Sequence, residues 1–297
     1  MRFLGLHGRA LREALWGYAL IAPTMLLIAI FSYLSLGASF VLSFMNWEVI
    51  TPAKWVGLAN YLEVLQDKVF LQSVWNSVRF VLMSLFIGQA LSLTLALILN
   101  TKIPFRNFFR LVYFLPVLTM TIAIAVVWKW IYSPMFGPIA MVFQKLGLKP
   151  IIWITNPTNA MWSIVIISIW MGIGYHMVIM LAGLQNIPRE YYEAAEVDGA
   201  NWWYQLVRIT LPLLSPTLFF TLVTSFIGGL QMFDMAYILT QGGPMNTTRT
   251  IVYHIYEEGV RGFRVGPSTA GAWLLFVMIM GITVIQFRLQ KKWVFYE

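Results

Sequence analysis

Six runs of the sequence carry no charged residue: 14–47, 80–101, 111–128, 150–188, 209–233 and 265–287. A helix needs about 20 apolar residues to cross the hydrocarbon core of a bilayer, and helices satisfy their own backbone hydrogen bonds there. Each run supplies one such helix, the third by extending slightly past Lys129. The 150–188 run opens on a polar, proline-bearing stretch from Thr155 to Asn159, which leaves room for one helix. The pattern predicts an all-α membrane protein with about six transmembrane helices, over about 16–42, 76–99, 109–131, 160–184, 211–233 and 266–288, in a single domain covering 1–297.

Composition agrees. With 59% hydrophobic and 11% charged residues, a chain of 297 residues has too few charges to coat a soluble surface. The absence of cysteine excludes a disulfide framework and a thiolate metal site. A net charge of +8 raises nucleic acid as a partner, but the basic residues flank the apolar runs, as membrane topology requires, so none is expected. Arg2, Arg9 and Arg12 precede the first run, as in a signal peptide. That run is far longer than a typical apolar signal core of about 7–15 residues, so a retained anchor is expected.

Six spans put both termini on one side. The loop over 100–110 holds three bases and no acid, and the tail after 287 holds three bases and one acid. Short basic segments near span ends favour the cytoplasm, so both termini are expected there. His7, His176 and His254 are isolated in sequence. Pro23, Pro116 and Pro212 lie in or at the edges of helices, where each removes a backbone bond and can kink the helix. Trp16, Tyr18, Trp128, Trp130, Tyr132, Trp153 and Trp162 cluster near predicted boundaries, as in an aromatic belt. Gly228 and Gly229 suit close helix packing.

The polar stretch over 185–210 falls on the cytoplasmic side in this topology. Pro188 suits a helix start, Arg189 to Val197 a short helix, and Gly199 a left-handed cap with Asp198 beside it. A second short helix fits from near Asn201 through Trp202, Trp203, Leu206 and Ile209 toward Pro212. On the first helix Tyr191, Ala194, Ala195 and Asp198 share one face, and Glu190, Glu193 and Glu196 form an adjoining acidic strip. Small residues let a partner's backbone approach, and the strip offers carboxylates to its Arg or Lys. The same charge pattern also fits a helical hairpin lying on the membrane surface.

The spacing Glu193-Ala194-Ala195-x3-Gly199-x9-Ile209-x-Leu211-Pro212 resembles the signature cytoplasmic loop of permease subunits in binding-protein-dependent ATP-binding cassette importers. The stretch Val56 to Tyr61, followed by Asp67, Phe70 and Trp75-Asn76-Ser77, is similar to the first outer loop of carbohydrate permeases in that family. Tyr113 to Pro116, Trp128 to Pro134 with Gly137, and Thr240 to Pro244 with Thr248 and Ile255 to Gly259 extend the likeness over nearly the whole chain. They point to the maltose-permease-like branch, although the extra spans and large periplasmic insertion of the maltose permease itself are absent. The resemblance implies a type I importer architecture in a bacterial or archaeal cytoplasmic membrane. It also implies a second homologous permease subunit, two cytoplasmic ATP-binding subunits that carry ATP and Mg, and an extracellular or periplasmic solute-binding protein, with the loop coupling the permease to the ATPases.

The chain has no GxxxxGK[ST] phosphate loop, His/Glu metal pair at helical spacing or recognisable catalytic triad, so no enzyme activity, cofactor or metal is expected on it. Polar groups inside spans are costly and often mark a pathway. Trp170, Tyr175 and His176 in the fourth span, with Gln231 and Asp234 ending the fifth, offer the aromatic faces, amides and carboxylate that a sugar requires. Asn76 and Gln286 are weaker candidates, and interhelix bonding or boundary placement explains the same residues. Lys and Arg occur only near span edges (Arg79, Lys129), which disfavours an anionic solute. A self-sufficient secondary transporter or channel is the alternative function, yet no Asp or Glu lies inside the proposed spans.

Overall fold

A computed structural model describes residues 8–295, so Arg2 and His7 lie outside the described residues. In chain order the helices are α1 (Ala10–Leu42), α2 (Ala59–Gln66), α3 (Lys68–Asn100), α4 (Arg106–Phe114), α5 (Thr121–Ile131), α6 (Pro138–Lys145), α7 (Ala160–Gln185), α8 (Arg189–Val197), α9 (Trp202–Leu230), α10 (Ile251–Tyr256) and α11 (Val265–Gln290). Five of them, α1, α3, α7, α9 and α11, are long and apolar enough to cross a membrane. The only strands among the described residues are β1 (Met45–Asn46) and β2 (Lys54–Trp55), an antiparallel pair with Met45 opposite Trp55.

The third apolar run differs from a straight span over 109–131. It is broken into α4, extended by a tight turn over Leu115–Leu118, and α5, with a bend of 100° between the two halves. Pro116 lies in that tight turn and has no N–H for the preceding turn, and the break itself falls where Thr119 (φ −90, ψ 141) and Met120 (φ −60, ψ 126) are extended before α5 begins. The fifth apolar run differs too. The short helix expected from Asn201 does not stop at Pro212 but continues through a π-helical turn at Leu206–Thr210 into the span. That span ends at Leu230 rather than 233, with Gln231 capping it. Beyond the break the Met232 carbonyl accepts from Thr250 Oγ1 at 2.8 Å, which satisfies a group the helix has released.

The chain divides into two compact units. In the first, Met1–Val64 with Glu258–Trp273, the Asn60 side chain is buried and donates to the Ser43 and Met45 carbonyls at 2.8 and 2.9 Å. Ser43 Oγ also meets the Tyr61 hydroxyl at 2.7 Å, so the Asn60-Tyr61 pair ties the loop to the end of α1. Arg264 pairs with Glu63 and Glu258. Burial opposes the charge on Arg264, but these two carboxylates outweigh it and hold the guanidinium above its ordinary pKa.

In the second unit, Leu65–Glu257 with Leu274–Glu297, α3, α7 and α9 pack around a core that includes Ala96, Leu99, Met177, Met180, Leu184 and Leu214. Asp67 caps α3 by accepting from the Val69 N–H at 2.8 Å. Gly174 brings α7 against the backbone of α4, where a Cβ would overlap the Tyr113 carbonyl. Of the glycine pair in α9, Gly229 is pressed against Val81, with 2.8 Å from an added Cβ to Val81 Cγ2, whereas Gly228 faces open space. Three of the boundary aromatics pack together with Trp170: Tyr132 stacks on Trp153 at 5.0 Å, and Trp128 meets Tyr132 and Trp170 at 5.2 and 5.7 Å.

Candidate functional site

Two features in the second unit carry chemistry. The first is the polar stretch between α7 and α9. Pro188 stands one residue before the first turn of α8 rather than within it, and Asp198 is its C-cap. Gly199 has φ +79, a left-handed conformation that glycine adopts freely. Its N–H donates to Glu196 O at 3.0 Å and the Ala200 N–H to Ala195 O at 2.8 Å, the paired bonds of a Schellman cap. Two residues on, Asn201 Oδ1 accepts from the Tyr204 N–H at 2.8 Å and starts α9. The reversal between the two helices is therefore fixed by local bonds.

Glu190, Glu193, Ala194, Glu196 and Asp198 are exposed, Ala195 is half-buried, and the four acidic side chains have no hydrogen bond or ion pair among the described residues. Val197, Trp202 and Trp203 are also exposed beside them, so acidic and apolar surface is presented together. Ile209, Leu211 and Pro212 are half-buried at the foot of α9. Tyr192 was not anticipated from sequence: its hydroxyl lies 3.0 Å from Thr210 Oγ1 and joins α8 to that foot.

The second feature is a cavity of about 660 Å³ among α3, α7 and α9. That volume is within the range of small-molecule sites. Tyr175, His176, Gln231 and Asp234 all line it, although they come from separate segments. Trp170 does not: its ring packs on Trp128 and lines a different, apolar crevice. The cavity lining, among the described residues, includes no Lys or Arg.

A polar chain crosses the cavity wall. Gln89 Nε2 donates to the Thr221 carbonyl at 3.0 Å and to Ser225 Oγ at 2.9 Å, and Gln89 Oε1 accepts from Thr221 Oγ1 at 3.1 Å. A backbone carbonyl only accepts, so the amide nitrogen must face Thr221 and the orientation of Gln89 is settled. Both amide protons are then used, and Ser225 Oγ also meets His176 Nε2, 3.0 Å away, where either atom can donate. The other ring nitrogen, His176 Nδ1, is buried with no hydrogen-bond partner among the described residues. Sequence reading missed Gln89, Thr221 and Ser225. The signal was present, since Gln89 is an amide inside a charge-free run and residues 221 and 225 share a helix face.

The weaker candidates have other roles or none assigned. Asn76 Nδ2 donates to the Asn246 and Arg249 carbonyls at 2.6 and 3.0 Å, which clamps the loop before α10 onto α3. Gln286 Oε1 is buried without a partner among the described residues, away from the cavity lining. No group of three or more His, Asp or Glu suited to a metal occurs among the described residues.

Comparison with known proteins agrees with this architecture. The model of a family described as "Binding-protein-dependent transport system inner membrane component" matches residues 90–294. A probable ABC transporter permease protein, YesP of Bacillus subtilis, is 35% identical over 96% of this chain and 94% of its own length. The arabinooligosaccharides transport system permease protein AraP of the same organism is 34% identical over 92% of this chain and 87% of its own. Among solved structures, a chain of a bacterial ABC transporter involved in the import of the acidic polysaccharide alginate superposes with a TM-score of 0.85 at 24% identity, covering 95% of this chain and 96% of that one. That likeness establishes a shared fold. The chain is thus a multi-pass membrane transport subunit and not an enzyme, and it belongs to the family of binding-protein-dependent transport system inner membrane components, the permeases of ATP-binding cassette importers.

Proposed function

We propose that the chain moves a carbohydrate, a sugar, oligosaccharide or related polyol, across the cytoplasmic membrane by alternating access, driven by ATP hydrolysed with Mg on partner subunits. The observation that carries the reading is the cavity wall, where hydroxyls, amides, one imidazole and one carboxylate (Asp234) meet without a Lys or Arg. A sugar presents hydroxyls to such groups and a ring face to Tyr175. The name of AraP supports the same substrate class.

In this reading 1–297 acts as one permease domain with both termini and the 185–210 loop in the cytoplasm. Glu193, Ala194, Ala195, Asp198, Gly199, Ile209, Leu211 and Pro212 form the element on which an ATP-binding subunit docks. The exposed, unpaired acids and adjoining indole rings support this role. The partners are two ATP-binding subunits, a second homologous permease, a solute-binding protein on the outer side and membrane lipid. The competing reading is a self-sufficient secondary transporter or channel, favoured only by Asp234 at the cavity wall. Purification from native membranes followed by uptake in liposomes separates them. Copurification with an ATPase and ATP-dependent sugar uptake is expected, whereas solute flux through the lone chain would overturn the proposal.

A further inference from the structure

We propose that α4 and the crevice behind Pro116 hold one anionic phospholipid, its headgroup on Arg106 and Arg110 and an acyl chain in the crevice. Lys102, Arg106 and Arg110 stand within a segment, 100–110, that has no acid. Phe105, Phe108, Phe109 and Leu111 are exposed among them. A helix with bases on one side and aromatic and aliphatic residues on the other is suited to a negatively charged membrane surface.

Two observations locate the headgroup. Arg110 Nε and Nη2, one bidentate edge of the guanidinium, are buried with no hydrogen-bond partner among the described residues. Unpaired buried donors are costly, and a turn of the side chain that opens this edge to a phosphate relieves the cost. Immediately before α4, Phe105 adopts a left-handed φ of 57, which glycine adopts far more readily. The strain is retained for a ring that is 79% exposed, as an interfacial anchor requires.

The crevice places the chain. Its volume is about 390 Å³, and Leu91, Val112, Pro116, Ile166, Ile169 and Ile173 line it. Val112 and Pro116 follow Arg110 on the same segment, about 3 and 9 Å farther along a helix axis at 1.5 Å per residue. A headgroup at the arginines thus leaves an acyl chain beside the crevice mouth. The charge selects an anionic over a zwitterionic lipid, and the apolar lining selects a lipid over a soluble phosphate ester. The proposal is independent of which solute is transported.

The test is native mass spectrometry of the purified full chain, titrated with phosphatidylglycerol, phosphatidylcholine of matched chains, or glycerol 1-phosphate. At about fivefold per basic residue near an anionic surface, phosphatidylglycerol should be retained at least about fivefold better than phosphatidylcholine. Glycerol 1-phosphate should not be retained. Arg106→Gln and Arg110→Gln should each lower phosphatidylglycerol retention by about fivefold and leave phosphatidylcholine unchanged. Leu91→Trp, which fills the crevice, should lower both lipids and keep the preference between them. If Arg110→Gln does not yield a monodisperse chain, Arg106→Gln with Arg106→Lys as rescue decides the matter. Equal retention of the two lipids, indifference to the arginine variants, equal binding of glycerol 1-phosphate, or a second copy of the chain in place of lipid would each overturn the proposal.

Discussion

The Tyr192 hydroxyl sits 3.0 Å from Thr210 Oγ1, and Thr210 Oγ1 in turn donates to the Gln205 carbonyl at 3.3 Å. One threonine thus joins α8 to the first turns of α9, beneath the acidic face. Tyr192→Phe should cost about 0.5–1.5 kcal/mol in thermal unfolding of the purified chain. The double variant with Thr210→Val should cost less than the sum of the two single changes. Simple additivity would show that the bond carries no coupling.

Gly199→Val should misplace α8, because the left-handed backbone costs a residue with a Cβ roughly 1–2 kcal/mol, and more when it is β-branched. Glu193→Lys leaves the backbone alone and reverses a contact charge. Both variants should lower recovery of an associated ATPase and ATP-driven uptake. Wild-type values in both would remove the loop from the docking interface.

Gly174 and Gly228 both lie in long helices but should respond oppositely to alanine. At Gly174 the added methyl meets the Tyr113 carbonyl, so about 1–3 kcal/mol or more should be lost as helices shift. At Gly228 nothing lies within 4 Å, so Gly228→Ala should be neutral or slightly stabilising. Comparable melting temperatures for the two variants would contradict this packing.

Gln231→Ala and Asp234→Ala should alter solute affinity or the solute-stimulated ATPase rate, since both side chains line the cavity. Trp170→Ala should leave solute affinity unchanged, because its ring lies in the aromatic cluster and the other crevice. Isothermal titration with a sugar panel distinguishes them. A Trp170→Ala effect as large as that of Asp234→Ala would require a different pathway.

Gln89→Leu removes the amide that meets both Thr221 and Ser225. Ser225 is then free to reorient, and its contact with His176 Nε2 is loosened. Solute affinity should fall several-fold, by about 1–2 kcal/mol, with the helix content unchanged. Unaltered affinity by titration would confine the chain to structural support.

Local features were legible because their causes are local. Charge-free runs mark apolar helices, and Gly199 beside Asp198 marks a helix end, whatever the rest of the chain does. The break at Pro116 was only half legible: a proline signals a lost bond, but a 100° turn depends on what packs against it, here the Tyr113 backbone on Gly174. Trp170 illustrates the limit for the site. It is five and six residues from Tyr175 and His176 in sequence, yet helical phase sends it toward Trp128 and away from the cavity. Gln89, Thr221 and Ser225 come from two helices, and no pattern within either one states that they meet.

The continuous course of α9 through its π-helical turn has a mechanical consequence. Its 29 residues make a rod about 43 Å long, at 1.5 Å per residue, running from the indoles at Trp202 and Trp203 to the carboxamide at Gln231. Each degree by which the base of that rod is tipped carries its far end about 0.75 Å sideways. A small rotation at the base therefore moves the chamber wall near Gln231, less whatever the π-helical turn at Leu206–Thr210 and Pro216 take up by bending.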